Sequence, residues 1–470
     1  MTLSLTLAYV IHSKEQAEWR HSPVQSNQQG MYNLSVPWGE PVSCGHIDTD
    51  ETQWVCTHLL AQGTERDYYT WFVGEGMTNL LVCEDCKKHI NVGEAPIPLQ
   101  RLCSQCVEKL RDTNEWVGIV GQPTSMMRST QLSLQTVLVQ MTLPGRIVAI
   151  QPLPQQHESV WLAITEAGDV LMLDLVSHQV RSLFPLPISQ LDLAKSLTLL
   201  IAPNGRFATL ANTREQHGLV VDLQSGQITM PLMRDKYHIE HSDFSLAFAE
   251  VDGQLLLIHA TEWNRLDFSD PHTGKLLSVR PTPMVNRDHS RQPHYLDYFH
   301  CSLAVSPDAQ WIVDAGWAWT PAGIPRAWSL PRWVTDNVWE SEDGSSLKSL
   351  TQRWSYYNYD WDLPMCWLDN EHIAIWGYGI YDAVLSAAVI YNARTGAEVR
   401  WFPGPSGAFI FDTYLFTLSP QEGLTGWDVT QGERVLSAPH FHPTHYHPGA
   451  KQFLQINDTT GEMKLGWIME

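Results

Sequence analysis

The chain has 470 residues, 43% hydrophobic and 17% charged, a balance that can fill large cores and that excludes a globally disordered polymer. Its 51 acidic against 30 basic residues give a formal charge of −21, which disfavours nucleic acid and anionic membrane surfaces as partners and would attract a basic protein. Nowhere do roughly 18 apolar residues run together, so no transmembrane helix is expected.

The chain opens with an alternating apolar run, Leu3, Leu5, Leu7, Tyr9 and Ile11, with no basic residues before it and Lys14 close behind. That period is a strand's, not a signal peptide's, and the expected location is the cytoplasm. A Gln/Asn/Ser/Gly-rich stretch from Val24 to Gly30 reads as a linker, so residues 1–38 are assigned to an N-terminal strand and linker.

Residues 39–125 are set apart by cysteine. Six of the eight Cys lie between positions 44 and 106, in the order Cys44-Gly-His46, nine residues, Cys56-Thr-His58, twenty-four residues, Cys83-Glu-Asp-Cys86, sixteen residues, Cys103-Ser-Gln-Cys106. A Cys-x-x-Cys knuckle turns two thiolates toward one ion, and residues two apart in an extended Cys-x-His pair share a face. Eight ligands complete two closed tetrahedral zinc sites, with no position left open for catalysis, so both ions are expected to be structural. The simplest assignment puts Cys44, His46, Cys56 and His58 on one ion and Cys83, Cys86, Cys103 and Cys106 on the other; a cross-braced pairing fits the same spacing. A domain this size is marginal on its own core, and metal then becomes part of its folding free energy. The run from Cys103 to Arg111 reads as a short helix leaving the last knuckle. In ligand pattern and exit helix the module resembles treble-clef-type zinc folds of bacterial proteins.

Residues 131–470 alternate short β-rich runs with turn residues. One element is an apolar run, a Pro/Asp/Asn/Gly turn and a second apolar run, as in Leu199 to Leu210 and Leu303 to Val313. The other is a hairpin with Asp or Asn followed by a Gly turn, as in Val220 to Ile228, Ser269 to Leu276, Ile390 to Val399 and Gly426 to Val435. Two such hairpins make a four-stranded antiparallel blade. Seven units are expected, near 145–187, 197–233, 243–281, 299–351, 363–403, 405–437 and 440–470. The last lacks a strand, which Leu132 to Met141 could supply, closing the ring and hiding its edges. The fold class is thus mainly β, a seven-bladed propeller behind a small N-terminal zinc domain, with a six-bladed ring or a pair of β-sandwiches as the next options. At Ser306-Pro-Asp308 and the Asp/Asn…Gly hairpins the sequence resembles WD-repeat-like and quinoprotein-like propellers.

Ten of the 20 Trp fall in 311–381, and the segment from Pro331 to Leu363 is longer than a blade connection needs. Long insertions on rigid scaffolds carry binding loops, and aromatics give contact area at low entropic cost. Trp333, Trp339, Trp354, Tyr356, Tyr357, Tyr359 and Trp361 are the candidate partner-binding residues; packing between blades is the competing account. His440, His442, His445 and His447 read as an ordinary turn and strand, and Cys301 and Cys366 as buried packing residues. No nucleophile elbow, phosphate loop or His-Glu-x-x-His motif occurs, and the pair Asp360/Asp362 is a weak glycosidase signal.

The resulting expectation is a non-enzymatic protein-interaction protein that binds a protein partner. A bacterial immunity protein neutralising a basic toxin is the narrower guess. The alternatives are a propeller enzyme or carbohydrate-binding protein using the Trp-rich 311–381 region, and a ubiquitin-ligase-like zinc module with a substrate-binding propeller.

Overall fold

The computed structural model describes residues 52–60, 67–73, 78–92, 99–120, 132–154, 158–187, 191–283, 290–319, 322–350, 361–380, 383–457 and 460–469. These divide into two compact units, one holding the described residues up to 120 and the other those from 132 onward. Residues 1–38, with their expected strand and linker, lie outside the described residues, as do Cys44 and His46.

The first unit is a five-stranded sheet built from β-branched and aromatic runs. Its strands are β1 (Thr52–Cys56), β2 (Tyr68–Val73), β3 (Thr78–Cys83), β4 (Leu99–Cys103) and β5 (Trp116–Val120), in the order β4-β1-β3-β2-β5. Helix α1 (Glu84–Val92) follows β3, and α2 (Ser104–Asp112) follows β4, where the exit helix was expected. Thr113 Oγ1 and Asn114 Nδ2 donate to the Leu110 carbonyl and close the end of α2. Val55, Leu80, Leu81, Val82, Leu102, Val107 and Leu110 form most of a small core, into which Cys56, Cys83 and Cys86 are also packed.

The second unit is a seven-bladed propeller. The first strands of the blades are Ile147–Pro152, Leu197–Ile201, Leu246–Val251, Leu303–Val305, Met365–Trp367, Ala408–Asp412 and His445–His447. Ile147–Pro152 lies against both Leu197–Ile201 and His445–His447, so the first strands form the inner ring and the first blade meets the last. The last blade takes its outer strand from β6 (Ser133–Val139), which pairs antiparallel with Met463–Met469 from end to end. The recurring Gly hairpin has a common geometry. In its first copy Asp222 Oδ1 accepts from the backbone N–H groups of Gln224 and Ser225, and Gly226 N–H donates to the Asp222 carbonyl at φ 72°. Gly274, Gly396 and Gly432 repeat that left-handed turn four residues after Asp270, Asn392 and Asp428.

Candidate metal centre and the aromatic end of the propeller

Cys56 ends β1, and the 3₁₀ turn Thr57–Leu60 that follows carries His58. Cys83 ends β3, and Cys86 lies in the first turn of α1. Because β1 and β3 are parallel neighbours inside the sheet, with Val55 opposite Leu81, their C-terminal ends arrive side by side at one end of it. The ligand atoms of all four residues lie within 4.8 Å of one another. His58 Nδ1 is 3.2 Å from Cys86 Sγ and 3.8 Å from Cys83 Sγ. A tetrahedral zinc with Zn–S of about 2.3 Å and Zn–N of about 2.0 Å has ligand–ligand edges of roughly 3.4–3.8 Å, so the four atoms already fit the ion.

The three sulfurs are buried and His58 is exposed. Cys56 Sγ accepts from the Cys83 backbone N–H at 3.3 Å. Hydrogen bonding from the neighbouring Cys86 thiol pulls the Cys56 thiol well below its ordinary range, while the same interaction and burial push Cys86 up. Three thiolates and one imidazole make a structural zinc donor set, and a bound ion would offset most of the thiolate charge, leaving −1, and tie β1 to β3 and α1.

This grouping corrects the simplest pairing. Cys103 sits opposite Thr52 in the antiparallel β1–β4 ladder, at the far end of β1 from Cys56. Four residues of strand separate the two positions by about 13 Å, far beyond the span of one ion. The Cys103/Cys106 pair thus cannot share a metal with Cys56, and the Cys56/His58 pair is taken by Cys83 and Cys86. Both the sequential and the cross-braced pairings fail on that point.

In the propeller, the connection before a blade's first strand and the one between its second and third strands emerge at the same end. Five such segments bring a set of aromatics together at one end. Tyr237 precedes the third blade, Trp263 lies in its second turn, Phe299 precedes the fourth blade, Trp317 and Trp319 lie in its second connection, and Trp361 precedes the fifth. Trp361 stacks on Trp317 at 4.6 Å, Trp317 on Phe299 at 4.0 Å, and Phe299 on Tyr237 at 6.0 Å between centroids. Trp317 and Phe299 are buried in the stack, whereas Tyr237 and Trp319 are each 46% exposed.

The scaffold beneath is specified residue by residue. Phe299 and Trp317 exchange two backbone hydrogen bonds, at 2.7 and 3.0 Å. Gly316 permits this approach, since a Cβ there would lie 2.1 Å from the Phe299 carbonyl oxygen and 2.5 Å from the Tyr298 hydroxyl. Asp362, at φ 54°, pins three connections together. Its carboxylate accepts from Asp243 N–H at 3.1 Å and from Ser302 N–H and Oγ at 2.8 and 2.9 Å, and its own N–H donates to Ala315 at 3.0 Å. Burial, and then the neighbouring Asp243, raise the Asp362 pKa. Asp362 is thus a buried staple; its would-be partner Asp360 lies outside the described residues.

Of the candidate partner residues, Trp333 is not on the surface. It is fully buried, packed edge-on against Phe268 and Trp328, with its indole N–H donated to the Val338 carbonyl at 3.1 Å. The competing account, packing between blades, holds for this residue, whose large ring fills the gap beside the third blade. Trp339 is half-buried, stacked on His294 at 4.5 Å, and Trp361 joins the aromatic stack. Trp354, Tyr356, Tyr357 and Tyr359 lie outside the described residues.

His447 is buried, with Nε2 3.1 Å from the Val160 carbonyl and its ring edge-on to Trp161. Cys301 is buried at the same end as the aromatic stack, and its thiol is pushed up by burial. Sequence reasoning passed over Tyr237, Trp263 and Phe299, which are scattered through three connections. It also passed over His238-Ile-Glu240-His241, whose short His-x-Glu-His spacing was a readable signal.

No protein family matches the chain, and no curated protein matches it. Among solved structures it is similar to a chain of one described as a crystal structure of a mitotic checkpoint complex. The identity is 13% with a TM-score of 0.45, over 74% of this chain and 98% of that one. Among the described residues no helix is long and apolar enough to cross a membrane.

Proposed function

We propose that this is a non-enzymatic interaction protein that grips a protein partner with the aromatic end of its propeller. The carrying observation is the ring stack from three neighbouring blades that leaves Tyr237 and Trp319 each 46% exposed. Rigidly backed aromatics of this kind are the anchors on which binding energy concentrates. Trp339 and Trp361 belong to the same proposal, as do Trp354, Tyr356, Tyr357 and Tyr359, which directly precede Trp361 in the chain. The formal charge of −21 favours a basic partner, and a bacterial immunity protein neutralising a basic toxin in the cytoplasm is the narrower form of the reading.

The zinc module is proposed to hold two structural ions. One takes Cys56, His58, Cys83 and Cys86, and the other takes Cys103 and Cys106 with Cys44 and His46. The β1–β4 ladder supports this nesting, since it ends at Thr52 opposite Cys103, and Thr52 follows His46 by six residues in the chain. It is not the cross-braced pattern on which the ubiquitin-ligase-like alternative depends.

The test is capture from the native host with the full chain and with a Tyr237→Ala/Trp319→Ala variant. A basic protein held by the former and released by the latter supports the reading. Equal capture by both, or no stable protein partner, defeats it. Glycan binding lost in the same variant would favour the carbohydrate-binding alternative.

A further inference from the structure

At the aromatic end, the connection entering the third blade carries His238, Glu240 and His241 around the 3₁₀ turn Ile239–His241. One carboxylate oxygen serves both histidines. Glu240 Oε1 is 3.4 Å from His238 Nδ1 and 3.3 Å from His241 Nε2, and all three ligand atoms lie within 4.8 Å of one another. Around a zinc ion with bonds of about 2.0–2.1 Å, a tetrahedral edge is about 3.3 Å, so two edges have the length an ion would impose. The rings are 5.8 Å apart and inclined by only 30°.

The segment is held in this shape from outside. His238 takes the left-handed conformation, φ 54° and ψ 33°, which is strained for a residue with a Cβ and persists where surroundings enforce it. The surroundings are visible. The His238 ring is wedged edge-on between Tyr237 at 4.5 Å and Trp319 at 4.9 Å. The Trp361 indole N–H donates to the His241 carbonyl. Beneath, the buried Arg234 guanidinium donates to the carbonyls of Ile239, Ser242 and Asp243 at 3.4, 2.9 and 3.0 Å. A backbone held along the whole segment, with the His238 ring fixed by its neighbours, is the preorganisation a metal site needs. The three side chains meanwhile remain open to solvent, at 34%, 61% and 52% exposure.

We propose that His238, Glu240 and His241 bind a divalent transition-metal ion, zinc being the one their donors and spacing suit. Two imidazoles and a carboxylate are an intermediate donor set, unlike the sulfur-rich cluster of the first unit. Three protein ligands leave a tetrahedral ion one exchangeable position, which water or an exogenous imidazole or carboxylate fills. The site is therefore an accessible metal centre, not a closed structural one.

The experiment uses the full chain with its cysteine sites already loaded with zinc. Titration with Zn²⁺ against a chromogenic indicator should reveal one further equivalent, and Co²⁺ at that site should show ligand-field bands without thiolate charge transfer. A His238→Ala/His241→Ala variant should lose that equivalent while keeping its cysteine-bound zinc and its thermal unfolding profile. Glu240→Gln should weaken it about tenfold or more. Absence of an extra equivalent, an extra equivalent that survives in the double His variant, or a sulfur-to-cobalt band overturns the proposal.

Discussion

Paired cysteine substitutions separate the three ways of sharing ligands between two ions. The geometry at stake is the length of β1, because Cys56 ends that strand and Cys103 pairs with Thr52 at its start. With about 3.3 Å per residue the two sulfur positions lie roughly 13 Å apart, whereas two sulfurs on one zinc are within about 4 Å. Cys56→Ser with Cys86→Ser therefore removes two ligands from a single ion, and zinc should fall by about one equivalent per chain. Cys86→Ser with Cys106→Ser strikes both proposed ions, and about two equivalents should be lost. Sequential pairing reverses these outcomes, and cross-bracing makes both variants lose two. Metal analysis after dialysis reads the result directly. Structural zinc contributes about 10–16 kcal/mol in small zinc peptides, far more than this small core can replace, so the first variant should also abolish the cooperative unfolding of residues 52–120. Loss of two equivalents from Cys56→Ser/Cys86→Ser would refute the register argument.

Three further outcomes follow from the propeller. Arg280 and Glu342, with side chains 1% and 5% exposed, meet at 2.6 Å beside the Arg265–Asp267 pair. Glu342→Ala strands a buried cation and should cost about 3–5 kcal/mol in urea denaturation, while Arg280→Met with Glu342→Leu should recover most of it. Trp333→Ala empties a core site and should cost about 3–5 kcal/mol, whereas Trp319→Ala should stay within about 0.5 kcal/mol and act on partner capture instead. His259 is 4% exposed, and desolvation lowers its pKa to about 4. A folded pKa below the unfolded value of about 6.5 gives stability that is complete above pH 6.5 and is lost as pH falls toward 4, about 3 kcal/mol in all. His259→Leu should flatten that part of the stability–pH curve, and an unchanged slope would exclude His259 as its source.

The blades were legible because each is written locally. The Asp-to-Gly hairpin at Asp222, Asp270, Asn392 and Asp428 encodes its own turn through a side-chain acceptor and a left-handed glycine, so the repeat shows in the sequence. The closing strand was legible for a related reason. The last unit was one strand short, and the Leu132 to Met141 run, just before the first unit, could supply it. The metal pairing was not legible, because it depends on β1 lying parallel to β3 and antiparallel to β4, a long-range choice that no spacing records. Trp333 was misassigned for the same cause. Periodicity marks a tryptophan in a long insertion, but only the folded chain shows that the insertion turns back onto Phe268 of the third blade.

The aromatic end also shows why binding chemistry can be dispersed in sequence yet rigid in space. Tyr237 and Trp361 are separated by more than a hundred residues, yet they are the two ends of one ring stack. What joins them is not the rings alone. Asp362, next to Trp361, accepts from Asp243 and Ser302 and so locks the entries to the third, fourth and fifth blades into one body. Gly316 then allows Trp317 to reach Phe299 through paired backbone hydrogen bonds. A partner meeting Trp319 and Tyr237 would face anchors already fixed in place, with little left to order on binding, which is the condition under which exposed aromatics yield affinity. The same backing holds the His238 ring and the His241 backbone, so a metal ion and a partner would use one preorganised surface.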